Sequence, residues 1–324
     1  MTSTPHQPSE HSEPGAHSAE HSRPAAPDPS LPAEEREAAE RAAFRVGGWE
    51  EKLSPEEQLE QLASYLDAHH PLPDLTPPWR GGSGDPTEAD NYFARLPDRS
   101  THAAMLMLGS GLDHAMPGVA FPGGVTLRDL PGQPACILEP SSPSGRWAVS
   151  LHGGGWWRGS GTALDMQWRP EVAGAAEVSG TTIIDVDYPL LPAASLAEIL
   201  DATSQAIRHA RLQGAQSVSL WGADSGAALA LLLAEKADSL VLTFPELQSL
   251  GALPESAGPI PDLPEPERWP RTLVQIAEHD ELTEPPASLP ANATVRAYIS
   301  QHWISTPEVA RQRITDVAEF LKED

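Results

Sequence analysis

A serine in a turn of small residues is the first feature that could do chemistry. The segment 217–233 reads as a short buried strand that runs directly into a helix, and Ser225 lies where the two meet. A serine at the apex of such a corner has its Oγ exposed above the sheet, as in a nucleophile elbow. The usual elbow has glycine two residues before and two after the serine. Here those places hold alanines, and the glycines are each displaced by one: Ala223, Ala227, Gly222 and Gly226.

A glycine loop follows the predicted strand Trp147–Leu151, in the order His152-Gly153-Gly154-Gly155-Trp156-Trp157. Consecutive glycines let several backbone N–H groups converge on one point. Donors aimed in this way at a developing oxyanion lower the barrier to acyl transfer by about 3 kcal/mol each. The loop therefore predicts an oxyanion hole, with Trp156 and Trp157 as candidate walls of the substrate pocket and His152 as a residue that shapes the loop.

Short apolar runs alternate with helical segments over the second part of the chain. This order favours an α/β fold with a mostly parallel sheet flanked by helices, in which ligands bind at the carboxyl ends of the strands. The predicted strands are 125–130, 135–138, 147–151, 181–186, 218–221, 239–243, 272–277 and 294–299, and the predicted helices are 196–212, the segment after Ser225, and 307–321.

The first third of the chain has a different texture. Residues 1–31 are rich in Pro, Ser, Glu and His, and we expect a disordered tail. Its histidines match no closed metal motif: His6, His11, His17 and His21. Residues 32–118 are expected to form a helical extension that covers the site, with helices over 32–45, from Ser54 (a capping box with Glu57), 87–96 and 100–114. Residues 119–324 would be the catalytic domain.

The composition of the chain excludes some classes of partner and one kind of covalent link. The 324 residues carry a formal charge of −25, which argues against nucleic acid or an anionic membrane as partner. The single cysteine, Cys136, rules out an intramolecular disulfide. Neither a signal peptide nor a membrane span is recognisable, so we expect a cytoplasmic protein. The sequence leaves the oligomeric state open.

The glycine loop, the elbow and the segment Asp187-Tyr188-Pro189-Leu190-Leu191-Pro192-Ala193-Ala194 together resemble the hormone-sensitive lipase-like branch of the α/β-hydrolase superfamily. The resemblance covers roughly residues 120–322. It implies Ser225 as nucleophile, Asp280 in Ala277-Glu278-His279-Asp280-Glu281-Leu282 as acid, and His302 as base. It also implies oxyanion donors at the backbone N–H groups of Gly154, Gly155 and Gly226.

Three neighbours of Asp280 are rivals for these roles. Glu278 and Glu281 could serve as the acid, and His279 as the base. A histidine beside the acid on one loop would have difficulty reaching Ser225, which favours His302. Histidine suits the role because it can take the serine proton and return it, while the acid orients the imidazole.

The expected function is a serine carboxylesterase that cleaves small, neutral, short-chain acyl esters through an acyl-enzyme, without a cofactor or a metal. Two alternatives stay open. One is a catalytically silent α/β-hydrolase fold that acts as a binding or scaffold protein, and the other is an amide or peptide hydrolase with the same triad.

Overall fold

The computed structural model describes residues 53–109, 111–121 and 123–323. The predicted tail 1–31, its histidines and the predicted helix 32–45 lie outside the described residues. In the part that is described, no helix has both the length and the apolar character needed to cross a membrane.

An eight-stranded sheet forms the centre of the molecule, in the order β1-β2-β4-β3-β5-β6-β7-β8. β1 and β2 are antiparallel to their neighbours, and β3 to β8 are parallel. The strands are β1 Thr126–Asp129, β2 Ala135–Glu139, β3 Trp147–Leu151, β4 Thr182–Val186, β5 Val218–Ala223, β6 Ser239–Thr243, β7 Arg271–Ala277 and β8 Ala293–Tyr298. The predicted parallel-sheet α/β fold is thereby confirmed.

Helices cover both faces of this sheet because successive side chains of a strand point to opposite faces. In β5, Leu220 packs into a core with α6 (Leu196–Leu212) and α7 (Ser225–Leu232), and its neighbour Trp221 packs into a second core on the other face. That second core is closed by α5 (Arg169–Ser179) and α8 (Pro307–Lys322). Both cores place the carboxyl ends of β3, β5 and β7 at one edge of the sheet.

From residue 53 to the start of the sheet, the described helices are α1 Pro55–His69, α2 Thr87–Ala94, α3 Leu96–Met107 and α4 Pro117–Ala120. The capping box predicted at the start of α1 is confirmed, since Ser54 and Glu57 each accept a hydrogen bond from the other's backbone N–H. The apolar side chains of α1 to α3 form a third core that includes Ile304, two residues after the predicted base His302.

Two elements differ from the expectation. α3 begins at Leu96 rather than Ser100 and ends at Met107, because α2 and α3 follow one another with Arg95 alone between them. The helix α5 was not predicted. It is entered from a π-helical turn, Leu164–Trp168, and ends at Gly180, whose φ of 69° suits a glycine C-cap.

Candidate active site

The corner between β5 and α7 is occupied by Asp224 and not by Ser225. Asp224 has φ 53° and ψ −124°, a left-handed backbone conformation that side chains with a Cβ rarely adopt. Such strain costs on the order of 1–3 kcal/mol and persists only where the surroundings enforce it. The predicted strand–turn–helix is present, but its apex lies one residue earlier than the serine.

Glycines fix this register. A Cβ on Gly222 would lie 2.1 Å from the carbonyl oxygen of Gly226, and a Cβ on Gly226 would lie 2.4 Å from the carbonyl oxygens of Leu151 and His152. Only glycine fits at either place. The spacing glycine, one residue, Asp224, one residue, glycine is therefore the elbow pattern with an aspartate at its centre.

Ser225 is the first residue of α7 and is fully buried. Its side chain is not among those that line the cavity at the end of the sheet, whereas Asp224 and His302 are. The structure does not bring Ser225 to the position that was expected of it, because the steric demand of the two glycines sets the corner.

The predicted acid and base are close together. His302 Nδ1 lies 2.9 Å from Asp280 Oδ2. The carboxylate of Asp280 also accepts hydrogen bonds from the backbone N–H groups of Leu282 and Thr283 and from the Thr283 hydroxyl. With Nδ1 turned to Asp280, the Nε2 of His302 faces Asp224 Oδ1 at 3.9 Å.

The rivals of these two residues lie elsewhere. His279 and Glu278 are exposed, and the backbone N–H of His279 donates to the carbonyl of Ser300. Glu281 accepts a hydrogen bond from the backbone N–H of His302 at 3.0 Å, which helps to hold that loop.

The glycine loop wraps around Asp224. The backbone N–H of Gly154 donates to Asp224 Oδ2 at 2.8 Å. Gly154 has φ 121°, and a Cβ there would lie 2.1 Å from the carbonyl oxygen of Arg158. Of the three predicted donors, Gly154 is the one that makes this contact. Gly226 lies against the end of β3, and Gly155 has φ 58° and lies nearest to the indole of Trp157.

His152 shapes the loop. Its ring is buried and stacks on the ring of Tyr188, with 4.1 Å between the ring centroids. The Nδ1 of His152 lies 2.6 Å from the carbonyl oxygen of Gly153, and the Tyr188 hydroxyl donates to the carbonyl oxygen of His152. Burial lowers the pKa of His152 below its usual value, despite the hydrogen bond with Gly153. The imidazole is therefore neutral near pH 7.

The two tryptophans of the loop do not line the cavity. Trp156 is part of the core beneath the sheet and donates from Nε1 to the Ser249 hydroxyl at 2.9 Å, and Trp157 is also buried. Large aromatic side chains beside a sheet gain more from burial in the core, and these two follow that rule.

Other residues form the cavity walls. One wall comes from the helices before the sheet and the other from the loops at its carboxyl edge, including a buried arginine, Arg158. The lining residues that matter here are Phe93, Leu96, Ser100, Met116, Gly153, Gly154, Arg158, Asp224, His302 and Trp303.

Charge interactions set the protonation of the site. Burial disfavours the charged form of His302, but the hydrogen bond with Asp280 and the charge of Asp224 outweigh it and raise the pKa of His302. Burial acts against Asp280 in the same way, and its bonds to His302 and to the loop N–H groups lower its pKa to about 2. Asp280 is therefore ionised near neutral pH.

A second carboxyl group adjoins Asp224. Burial, the charge of Asp224 and a hydrogen bond with it raise the pKa of Glu246 to about 9. Burial would raise the pKa of Asp224 too, but the charge of His302 and the hydrogen bond with Glu246 lower it. Two adjacent carboxyl groups do not both ionise readily, so Glu246 keeps the proton and Asp224 the charge.

Sequence reasoning missed three residues of this site: Asp224, Arg158 and Glu246. The spacing Gly222-x-Asp224-x-Gly226 was the signal that could have found the first. Arg158 follows the glycine loop and Glu246 follows β6, and no motif marks either residue. In the part of the chain that the structure describes, no group of three or more His, Cys, Asp or Glu side chains has the arrangement of a metal site.

Comparisons with known proteins agree with this architecture. A family model described as an alpha/beta hydrolase fold matches residues 148–252. A search of curated proteins finds no match.

Solved structures are similar over most of their length. An esterase/lipase from an uncultured bacterium is 17% identical with a TM-score of 0.56, covering 84% of this chain and 99% of its own. An esterase from the bacterial hormone-sensitive lipase family is 15% identical with a TM-score of 0.53, covering 84% and 98%. An esterase of Pyrobaculum calidifontis is 18% identical with a TM-score of 0.52, covering 74% and 93%.

At these identities the likeness establishes the fold, and the resemblance inferred from the motifs is confirmed at that level. By its sheet order, its elbow and these matches, the chain is a protein of the α/β-hydrolase fold, similar to esterases of the hormone-sensitive lipase family.

Proposed function

We propose that this protein is a hydrolase whose nucleophile is the carboxylate of Asp224, with His302 as base and Asp280 as the acid that orients it. One observation carries the proposal: Asp224 occupies the strained corner of the elbow, with Oδ2 on the Gly154 N–H and Oδ1 facing His302 Nε2. The two oxygens thus have different surroundings, as a nucleophile of this kind needs.

A carboxylate nucleophile favours a saturated carbon as its target. Attack on an ester carbonyl would yield an anhydride, which is no more stable than the ester it replaces. Displacement at a saturated carbon yields an ordinary ester: Oδ1 of Asp224 forms a bond to carbon, and a halide or an epoxide oxygen leaves with the electron pair. The substrate class that we propose is therefore an alkyl halide or an epoxide.

Water completes the turnover. Nε2 of His302 takes a proton from water, and the hydroxide adds to Cγ of Asp224. The negative charge then develops on Oδ2, which already accepts the Gly154 N–H. The N–H of Ser225, the residue after the nucleophile, is the second donor expected of an elbow. Collapse of this intermediate releases the alcohol, which takes its proton from His302.

His302 must be neutral to act in this second step. The role of Asp280 is to fix the Nδ1–H tautomer and to stabilise the imidazolium once it has formed. We also propose that the described part of the predicted extension, residues 53–109 and 111–118, forms a cap over the site, supported by the cavity contacts of Phe93, Leu96 and Met116.

Isotope labelling tests the proposal directly. A single turnover in H₂¹⁸O should place ¹⁸O in the Asp224 side chain and leave the product unlabelled, as read by mass spectrometry of the peptide and the product. 1-Bromobutane and a terminal epoxide serve as substrates. In His302→Gln the alkyl–Asp224 ester should accumulate as a mass increase on the same peptide.

Carboxylic ester hydrolysis is the second candidate, favoured by the three esterases with this fold. It would use Ser225 as nucleophile, and the same triad could also cleave an amide or a peptide bond. Hydrolysis of p-nitrophenyl acetate and covalent labelling by a fluorophosphonate probe test this candidate. Labelling of the chain that is lost in Ser225→Ala and kept in Asp224→Asn would refute the Asp224 mechanism. Absence of turnover in all assays, with intact fold, would favour the silent scaffold.

A further inference from the structure

Arg158 is a buried cation in the wall of the same cavity. Its residue is only 7% exposed, and the side chain lines the cavity with Asp224 and His302. Nε of Arg158 is buried without a hydrogen-bond partner among the described residues, and the guanidinium forms no ion pair with any of them. An arginine stays protonated at every physiological pH, so its charge needs an anion.

The carboxylates near Arg158 are engaged elsewhere. Asp224 accepts from the Gly154 N–H and faces His302, and Asp90 accepts from the Gly159 N–H at 2.8 Å. These groups lower the cost of burying the charge at a distance, and burial itself lowers the pKa of Arg158. None of them supplies the direct contact that a buried guanidinium normally makes.

Two aromatic rings lie against the guanidinium of Arg158. Its central carbon lies 4.5 Å from the ring centroid of Phe93 and 5.8 Å from that of Trp303. These contacts with the rings do not use the N–H groups of the guanidinium, which can bind both oxygens of a carboxylate at once.

We propose that Arg158 binds the carboxylate of the substrate, so that the substrate is a short carboxylic acid with a leaving group on a saturated carbon. The inference rests on the proposed function of Asp224 for its chemistry, and on Arg158 alone for its binding. Arg158 and Asp224 line the same cavity, so a substrate held by its carboxylate on Arg158 presents the carbon that bears the leaving group to Asp224.

This substrate class differs from the neutral one expected from the overall charge of −25. Charges on the surface are screened over about 8 Å at physiological salt, whereas a buried cation acts at contact. A carboxylate inside the cavity therefore interacts mainly with Arg158.

Binding of an unreactive carboxylate tests the site without any chemistry. Ligand-observed NMR would measure the affinity of propionate and of its neutral match, propionamide. We expect propionate to bind, propionamide to bind at least tenfold more weakly, and Arg158→Gln to weaken propionate binding about tenfold to a hundredfold. Arg158→Lys, which keeps the charge and loses the two-pronged geometry, should be intermediate.

Arg99→Gln is the matched control. Arg99 also stacks on an aromatic ring, that of Tyr92 at 5.2 Å, but it does not line this cavity. It should leave propionate binding unchanged. Failure of propionate to bind, or equal binding to wild type and to Arg158→Gln and Arg158→Lys, would overturn the inference.

Turnover separates this inference from the proposed function. Bromoacetate and bromoacetamide differ only in the charged group. We expect Arg158→Gln to raise KM for bromoacetate at least tenfold and to leave KM for bromoacetamide unchanged. If propionate binds through Arg158 but no ¹⁸O enters Asp224, the Asp224 mechanism fails alone. If ¹⁸O enters Asp224 with both substrates and Arg158→Gln changes neither KM, the carboxylate site fails alone.

Discussion

Asp224 Oδ1 and His302 Nε2 face each other at 3.9 Å across the floor of the cavity, while the far side of the same imidazole is held by Asp280 at 2.9 Å. The imidazole thus lies between two carboxylates. One of them is buried at a strained corner, and the other is fixed by its own loop. This arrangement sets the charge of His302, and its consequences can be measured without knowing the substrate.

The first prediction concerns the pKa of His302. Asp280→Asn removes the negative charge of the acceptor that contributes most to the charged form of His302, so the pKa of His302 should fall. Burial, which disfavours the imidazolium, is then opposed mainly by the charge of Asp224. The measurement is an NMR titration of the His302 ring in wild type and variant. An unchanged pKa would mean that the Nδ1 contact does not control its charge.

Loss of Asp280 should also slow catalysis. With an acid missing, a catalytic histidine loses its correct tautomer and turnover falls by about 10⁴-fold in the best-studied triad, although the geometry remains. We expect a fall on the order of 10²–10⁴-fold in kcat for Asp280→Asn. Glu278→Gln is the control, since Glu278 is exposed and should leave kcat unchanged.

The second prediction concerns stability and pH. The pKa of His302 is raised in the folded state, so its contribution to stability is complete below about pH 6.5 and is lost as pH rises through the folded pKa. The pKa of Asp280 is lowered to about 2, so its contribution is complete above about pH 4 and is lost as pH falls toward 2. Both contributions are complete together only between about pH 4 and 6.5.

Urea unfolding of wild type and His302→Gln at pH 5, 7 and 9 measures this effect. The stability lost on substitution should be largest at pH 5 and should shrink as pH rises. A difference that grows with pH would contradict the charge state assigned to His302.

The elements around this pair show what sequence can predict. The predicted bounds of α6, Leu196–Leu212, are confirmed, and the structure shows a capping box of Ser195 and Glu198 at its start. α5 was missed, because its alanines, serine and glycine carry little periodicity. Its burial between the sheet and α8 is what makes it a helix, and that contact is not visible along the chain.

The site divides in the same way. Asp280 and His302 were predicted from the resemblance to hormone-sensitive lipase-like proteins, and the structure brings them within 2.9 Å of each other. The elbow was placed one residue late because a serine was taken as the reference, and not the glycines. Steric contact decides the register: the backbones at Gly222 and Gly226 approach too closely for any side chain, and they enclose Asp224.

The third prediction tests the crowding in the glycine loop. Gly154→Ala places a Cβ 2.1 Å from the Arg158 carbonyl oxygen at a φ of 121°. The strain should cost at least about 1–3 kcal/mol of unfolding free energy and displace the N–H from Asp224. Gly251→Ala is the matched control, because nothing lies within 4 Å of its Cβ position and its stability should change by less than about 0.5 kcal/mol. Equal stability of the two variants would refute the close contact.

The fourth prediction concerns the proton held by Glu246. Its pKa rises to about 9 in the folded state, against about 4.3 for an exposed glutamate. The folded protein therefore binds a proton that the unfolded chain has lost, and stability falls as pH rises from about 4.3 to 9. Glu246→Gln keeps a donor for Asp224 and removes the titration. The unfolding free energy of Glu246→Gln minus that of wild type, both measured in urea, should increase steadily between pH 5 and 9. Glu278→Gln removes an exposed carboxylate and should show no such gain in this range. A parallel rise in both variants would mean that the effect comes from net charge and not from the pair formed by Glu246 and Asp224.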